Sequence, residues 1–420
     1  MRILHTSDWH LGRGFHGYAL RAEQEQMLDT VCAAVQEHGV DAVLISGDIY
    51  DRAFPPEWAV QALEDALLRL VELGSNVIIT SGNHDSAARL GFARGLMSAS
   101  GVHIRSALED AWTPVELAEG DERVLVYGVP YLEPQLYAAQ LGCARAHHTA
   151  VMNEVLGRVR ADLRQRREVG EHIDRVLLMA HVFAASGVAT DSERNIGVEA
   201  RAGDVPEHHE ETIGGLSVVP LELFGGFDYV ALGHLHGRQR LSPTVRYSGS
   251  PVTYSFSEAD QAKGAWLLDT RPAQDPAENG AERAELVRTE AVDEDVPIAI
   301  TPLGWRIGRQ VKKLQGTIEE ILSPETVEAW SDAYVQIKLT DPERPERAHQ
   351  RVREAYPYLA TFSYEGEGRV RSSSTYSAKV EGAASDAEII AGFLAHVRDR
   401  GPSDQERRVI EETLEAVRIR

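Results

Sequence analysis

Four polar clusters, Asp8-Trp9-His10, Gly47-Asp48-Ile49-Tyr50-Asp51-Arg52, Gly82-Asn83-His84-Asp85 and Gly233-His234-Leu235-His236, each follow a short apolar run. His181 closes another such run, Leu177-Leu178-Met179-Ala180. Carboxylate, amide and imidazole groups bind borderline divalent metals, and no cysteine joins them here. Asp8, His10, Asp48, Asn83, His181, His234 and His236 make seven ligand candidates, too many for one ion. Asp8 and His10 stand two apart after a strand-like run, so both can face the same way. Two cations ~3.5–4 Å apart can share a bridging carboxylate, activate water and stabilise the leaving oxygen of a phosphoryl displacement. Asp48 is the expected bridge. Phosphodiesters hydrolyse so slowly unaided that such activation is worth many powers of ten. Gly47, Gly82 and Gly233 suit tight turns and close backbone approach beside the ligands. His84 is expected to serve as general acid, or as a hydrogen-bond donor to the transition state, rather than as a ligand. Asp51 is the candidate to orient it with its carboxylate, with a turn cap as the simpler alternative.

These residues need a scaffold that brings five chain segments to one place. Met1–Ser7, Ala42–Ser46, Val77–Ser81, Arg123–Val129, Val176–Ala180, Tyr229–Leu232 and Val245–Ser248 read as strands. Leu20–His38 places Met27, Leu28, Val31 and Val35 on one helical face, and Pro56–Leu73 does the same with Ala59, Leu63, Ala66, Leu67 and Leu70. Ser86–Ser98 reads as a third helix. Alternating strands and helices predict a layered α/β fold, with the polar clusters at the C-terminal ends of the strands, where open α/β sheets bind ligands. Arg158, Arg160, Arg164, Arg166 and Arg167 lie within Leu156–Arg167. They form either a phosphate-facing strip or a solvated helix face beside acidic neighbours.

The composition shifts after residue 270. Arg271–Asp295 holds eight acidic and three basic residues and reads as an acidic linker over 271–295. Residues 296–365 follow as a small α+β unit, with strands at Arg309–Leu314 and Tyr334–Leu339 and helices at Ile318–Trp330 and Glu346–Tyr356. Its basic stretch Trp305–Lys313 could meet phosphates or form a solvated strand edge. Residues 366–383 are rich in Gly and Ser and read as a second linker. Ser385-Asp386-Ala387-Glu388 and Ser403-Asp404-Gln405-Glu406 are both capping boxes. Each opens a short helix with one apolar stripe: Ile389, Ile390, Phe393, Leu394 and Val397, then Val409, Ile410, Thr413, Leu414 and Val417. A helix pair on a flexible tether must dock on the body or on another protein.

Composition bounds what such a chain does. Its 420 residues allow two or three domains, and 43% hydrophobic with 26% charged residues is ordinary for a globular protein. No apolar stretch approaches ~20 residues, so no membrane span is expected. No secretory signal is visible at the N-terminus. Cys32 and Cys143 read as free buried thiols, and such sparse cysteine use fits the cytoplasm. The net charge of −22 argues against a freestanding tight nucleic-acid binder, though not against a nuclease whose bound cations reverse the local sign.

In order and spacing, Asp8-x-His10, Gly47-Asp48-x-x-Asp51, Gly82-Asn83-His84-Asp85, His181 and Gly233-His234-x-His236 resemble the calcineurin-like metallophosphoesterase superfamily. Within it, Thr6–Gly12, Ser192-Glu193-Arg194, Asp228–His236 and Tyr247–Pro251 are similar to the SbcD-type nuclease subunits, and the resemblance covers nearly the whole chain. It implies a two-sheet sandwich flanked by helices over residues 1–270. Asp8, His10, Asp48 and His236 would hold one metal ion and Asp48, Asn83, His181 and His234 the other, with Mn2+ the usual ion and His84 the catalytic histidine. Residues 296–365 would be a capping domain that helps select DNA. The helix pair 384–420 would grip the coiled coil of an SbcC-type ABC ATPase. A homodimer would form through helices near 56–72 and 86–98, with Leu90, Phe92 and Leu96 as candidates for the interface or for the core. One departure is the longer, more acidic segment Gly197–Thr212, with His208-His209 before Glu210-Glu211; surface loop and extra metal binding are both open for it.

The expected activity is a manganese-dependent, ATP-stimulated 3′→5′ exonuclease on duplex DNA and an endonuclease on single strands and hairpins. It would serve DNA end processing, repair and recombination in the cytoplasm, at the nucleoid. A small-molecule phosphodiesterase or phosphatase would use the same site without needing the second domain or the helix pair. A non-catalytic scaffold would have lost ligands, and none is missing.

Overall fold

The computed structural model describes residues 1–185, 188, 212–213, 216–272, 285–287, 297–365, 387–391, 393 and 401–418. Two sheets dominate the first unit. The first runs in the order Glu285–Val287, Ile298–Gly304, Gly264–Asp269, Arg2–Thr6, Ala42–Ser46, Asn76–Thr80, Val102–Arg105. Its last four strands are parallel, and the others add antiparallel. The second sheet runs Gln239–Arg240, Val245–Tyr247, Tyr229–Gly233, Arg175–His181, Glu122–Val129, Val115–Glu119, with a parallel centre and antiparallel edges.

The strands read as continuous apolar runs because both of their faces are buried. Ala42, Leu44, Ile3 and Ile78 of the first sheet meet Leu177, Met179, Tyr229 and Ala231 of the second in a shared interior. The intervening Val43, Ile45, Val77 and Ile79 face outward onto the helices Arg21–His38 and Glu57–Glu72. On the far side Val176, Leu178, Val230 and Leu232 pack against helix His148–Glu168. The result is the expected helix-flanked two-sheet sandwich. The C-terminal ends of Arg2–Thr6, Ala42–Ser46 and Asn76–Thr80 open beside those of Arg175–His181 and Tyr229–Gly233, where Ser46 Oγ donates across to the Ala231 carbonyl at 3.0 Å.

Residues beyond 308 build a second core. Val311–Gly316, Tyr334–Leu339 and Leu359–Tyr364 form a parallel sheet with helices Ile318–Ile321, Pro324–Trp330 and Ala348–Ala355. This unit is welded to the first: Val311 and Tyr334 enter the first unit's core, and the Tyr334 hydroxyl donates to the buried Glu23 at 3.0 Å.

Several boundaries differ from expectation. Ile298–Gly304, read as part of the small unit, pairs along its length with Gly264–Asp269 and completes the first sheet. Glu285–Val287, inside the expected acidic linker, is its edge strand. The expected helix Ser86–Ser98 is two short helices, Ala87–Leu90 and Arg94–Ser98, because Ala93 turns through a left-handed backbone (φ 57°). Ile318–Trp330 is likewise split, since Ser323 caps a new helix that begins at Pro324. The five-arginine strip is largely engaged in protein contacts. Arg166 pairs with Glu116, Asp162 and Glu171; Arg158 pairs with Glu154; Arg160 donates to the carbonyls of Leu223 and Gly225. Within the basic stretch Trp305–Lys313, Arg309 is held by Glu23, Asp332 and the Tyr358 ring.

Both cysteines are free, Cys32 buried and Cys143 half-buried. Helix Asp404–Arg418 starts at its expected capping box, with Ser403 N donating to Glu406 and Glu406 N to Ser403 Oγ. Residues 387–391 are helical, while the box serine Ser385 lies outside the described residues, as do Ser192–Arg194, His208-His209 and the linker 366–383. Among the described residues, no helix is long and apolar enough to cross a membrane.

Candidate metal centre

The loops after five strands converge at one end of the sandwich. Asp8, His10, Asp48 and His234 all have positive φ, at 55°, 44°, 49° and 104°. Left-handed backbone at four non-glycine residues is uncommon, and such conformations cluster at functional sites. The glycines explain how the loops fit. Gly47 has φ 83°, and any side chain there would strike the His181 ring. A Cβ on Gly82 would collide with Asp48, and one on Gly233 with the Ser46 carbonyl. Asp85 fixes the same corner by accepting from the backbone N–H groups of Ile49, Tyr50 and Gly82 at 3.1, 2.9 and 2.9 Å.

The seven ligand candidates come together. Two groups of them, Asp8/His10/His236 and Asp8/Asp48/His181, each place their ligand atoms within 4.8 Å of one another, and His84, outside the seven, lies as close to His10 and Asp48. His10 Nε2 faces His236 Nε2 at 3.1 Å and Asp48 Oδ2 at 3.6 Å. His181 Nε2 lies 3.3 Å from Asp48 Oδ2 and 3.0 Å from Asn83 Oδ1. His234 Nδ1 is 3.1 Å from the same Asn83 oxygen, and its backbone N–H donates to Asp8 at 3.0 Å. Asp48 therefore stands between the His10 side and the His181 side, as a bridge must.

His84 sits at the rim, its ring 4.6 Å from that of His10. Its backbone N–H donates to Asp48 Oδ1 at 2.9 Å. Its Nδ1 donates to the main-chain carbonyl of Asp51 at 2.7 Å, not to the carboxylate expected to orient it. The carboxylate of Asp51 instead lies 3.7 Å from both His10 Nδ1 and Arg13 Nε.

Comparisons with known proteins agree with this geometry. The family described as calcineurin-like phosphoesterase matches residues 1–238, more than half of the chain. The chain belongs to that family. As a calcineurin-like phosphoesterase it is a hydrolase of phosphoester bonds. A second family, described as the type 5 capsule protein repressor C-terminal domain, matches residues 308–398. The SbcD subunit of the nuclease SbcCD from Bacillus subtilis (strain 168) is 32% identical over 286 residues, covering 66% of this chain and 68% of that protein. The expected likeness to SbcD-type subunits is thus borne out. Among solved structures, a novel archaeal phosphodiesterase matches at 12% identity with a TM-score of 0.25, over 64% of this chain and 94% of its own. A beta-glucosidase from Exiguobacterium marinum matches at 10% identity with a TM-score of 0.22, over 87% and 88%. Likenesses this loose carry no argument.

The donor set of this phosphoesterase fits divalent cations. His181 Nδ1 faces the Ser46 carbonyl at 2.9 Å and so carries a proton; its Nε2 then turns toward the oxygens of Asp48 and Asn83. Acceptors converging in this way need a positive charge among them. Without a metal, a proton supplies it. Burial alone would lower the His181 pKa, but the charges of Asp48 and Asp8 outweigh it and push it up to about 9. Burial likewise pushes Asp48 up, yet the imidazoles of His181, His10 and His84 hold it well below the usual carboxylate range. Burial raises Asp8 to about 6 and lowers His234 to about 3.

Sequence reading missed the residues behind the ligands. Gln24 is buried, accepts from Gly12 N at 3.0 Å and donates to the His10 carbonyl at 2.7 Å. Tyr254 accepts from Gln24 at 3.1 Å and donates to the Trp9 carbonyl. Glu258 meets the ring of His236. None belongs to a motif, and only the fold brings them to the loops they hold.

Proposed function

We propose that this chain is the nuclease subunit of a DNA-processing complex, hydrolysing DNA phosphodiester bonds with two divalent cations, Mn2+ foremost. The carrying observation is the buried convergence of Asp8, His10, Asp48, His181 and His236. The relation to a B. subtilis nuclease subunit supports the choice of substrate. Asp8, His10, Asp48 and His236 would hold one cation, and Asp48, Asn83, His181 and His234 the other. Such a pair, when bound, activates water and neutralises charge on the departing oxygen. The chain's own residues set up that reaction. The His84 ring is fixed by its Nδ1–H bond to the Asp51 carbonyl, which leaves Nε2 buried beside the cluster and without a hydrogen-bond partner. From there it donates to the leaving oxygen as general acid, or to the transition state. Asp85 holds the two loops that carry Asp48 and His84 in register.

The expected products are those of a 3′→5′ duplex exonuclease and a single-strand or hairpin endonuclease, acting on chromosomal DNA in the cytoplasm. A chain at −22 binds DNA weakly alone, so processive work needs an SbcC-type ATPase and ATP. Residues 384–420 would bind that partner: on helix Asp404–Arg418, Val409 is exposed on the apolar stripe. The small unit after residue 304 would cap the cleft and select DNA. A homodimer would form over helix Glu57–Glu72 and its neighbours, where Phe54, Val60, Leu68 and Phe92 are exposed around an apolar hollow and Leu96 is exposed on the same segment as Phe92. Leu90, a candidate for that interface, is buried in the core instead. Cleavage of labelled duplex and hairpin DNA, with and without Mn2+, the ATPase and ATP, tests the proposal. Weak Mn2+-dependent cutting by the chain alone and ATP-dependent duplex degradation with partner are expected. Full duplex activity without partner or ATP would overturn the division of labour.

A further inference from the structure

We infer that Glu258, held by Lys263, is a positioning residue for His236 and through it for one of the two cation sites. The inference rests on the two-cation reading. Glu258 ends the short turn Phe256–Glu258 and is fully buried. Burying a carboxylate is costly unless each oxygen is satisfied. Here both are: Oε1 takes His236 Nδ1 at 2.9 Å, and Oε2 takes Lys263 Nζ at 2.7 Å and Tyr254 N at 3.1 Å. Lys263, itself buried, turns two further bonds onto the same corner, donating to the His236 carbonyl at 2.9 Å and to Ser250 Oγ at 2.9 Å. His236 is thus gripped by its ring through Glu258 and by its main chain through Lys263.

The consequence is chemical. A carboxylate paired with a lysine ammonium only accepts, so Nδ1 of His236 carries the ring proton. Nε2 then presents its lone pair toward His10 Nε2, 3.1 Å away, where Asp8 also converges. Carboxylates that fix a ligating imidazole in this way set both its tautomer and its orientation. The other three imidazoles are held differently. His181 Nδ1 has a neutral carbonyl and His234 Nδ1 a neutral amide oxygen, while His10 Nδ1 has a carboxylate only at 3.7 Å. A buried ion pair is a poor stability device, often replaceable by apolar groups without loss. Its placement on one ligand candidate is what points to positioning.

The test is Mn2+ titration of the full chain by calorimetry, without substrate, alongside unfolding and near-ultraviolet circular dichroism of the metal-free protein. Glu258→Gln leaves Lys263 unpaired, so the double variant Glu258→Gln/Lys263→Met is measured with it. Two bound Mn2+ are expected in the unaltered chain. In both variants one site should weaken about 10- to 100-fold while the other keeps its affinity, and the double variant should retain the native dichroism. Unchanged affinity at both sites would overturn the inference, as would equal loss at both sites in a natively folded double variant. Fewer than two Mn2+ in the unaltered chain would instead overturn the two-cation reading on which the inference stands.

Discussion

Replacing Asp51 by alanine distinguishes two ways of orienting His84. In the structure, His84 Nδ1 donates to the main-chain carbonyl of Asp51, and the Asp51 N–H is tied to the Leu11 carbonyl at 3.2 Å. Alanine keeps both groups. What it removes is a carboxylate 27% exposed and 3.7 Å from both the Arg13 guanidinium and His10 Nδ1, too far for a hydrogen bond. Such a partly solvated pair contributes about 0.5–1 kcal/mol. That amounts to about a two- to fivefold effect. Had the carboxylate itself held the imidazole, the lost charged hydrogen bond would be worth about 1.5–3 kcal/mol. That would slow turnover roughly 10- to 150-fold. The assay is kcat on a small bis-aryl phosphodiester at saturating Mn2+, so that any weakening of His10 as a ligand drops out. Asp51→Ala should stay within about fivefold of the parent. A loss well beyond tenfold with native metal content would refute the backbone-orientation argument.

His84→Gln should keep both Mn2+ ions, measured by metal analysis after dialysis, while kcat falls about 10²- to 10⁴-fold; lost metal would make His84 a ligand instead. Gly82→Ala should damage the site from behind, because the added methyl meets the Asp48 carboxylate and backbone. Mn2+ affinity should drop at least tenfold, and unchanged binding isotherms would show that the loop yields freely. Because His181 holds a proton up to about pH 9 in the metal-free protein, a cation there must displace it. Mn2+ affinity should therefore climb from pH 6 toward pH 9, by up to about tenfold per unit, and then level. A flat profile in calorimetric titrations would show that His181 does not bind the ion.

Much of the scaffold was legible where local signals are strong. Ala42–Ser46 is an apolar run and Tyr334–Leu339 an alternating one, both recognisable as strands, and the box at Ser403–Glu406 does start a helix. The ligand candidates were legible because each follows a strand, and parallel strands bring their ends together without further instruction. Non-local pairing was not legible. Nothing in Ile298–Gly304 announces that it adds to the distant strand Gly264–Asp269 rather than to the unit that follows. The break after Leu90 needed a left-handed Ala93, which no residue type signals. Asp51 was assigned to His84 from spacing alone, and spacing does not say whether a side chain or a carbonyl makes the contact. Glu258, Lys263 and Gln24 carry no motif; their roles exist only once the chain has closed on itself.

The central claim, that this cluster holds two catalytic cations bridged by Asp48, is tested most directly by counting Mn2+ in the purified full chain and in Asp48→Asn while following duplex DNA hydrolysis. Two ions per chain are expected in the parent. Asp48→Asn should lose occupancy on both sides of the bridge, and hydrolysis with it. A parent chain that binds one ion or none while cutting DNA, or an Asp48→Asn chain that keeps both ions and full activity, would contradict it.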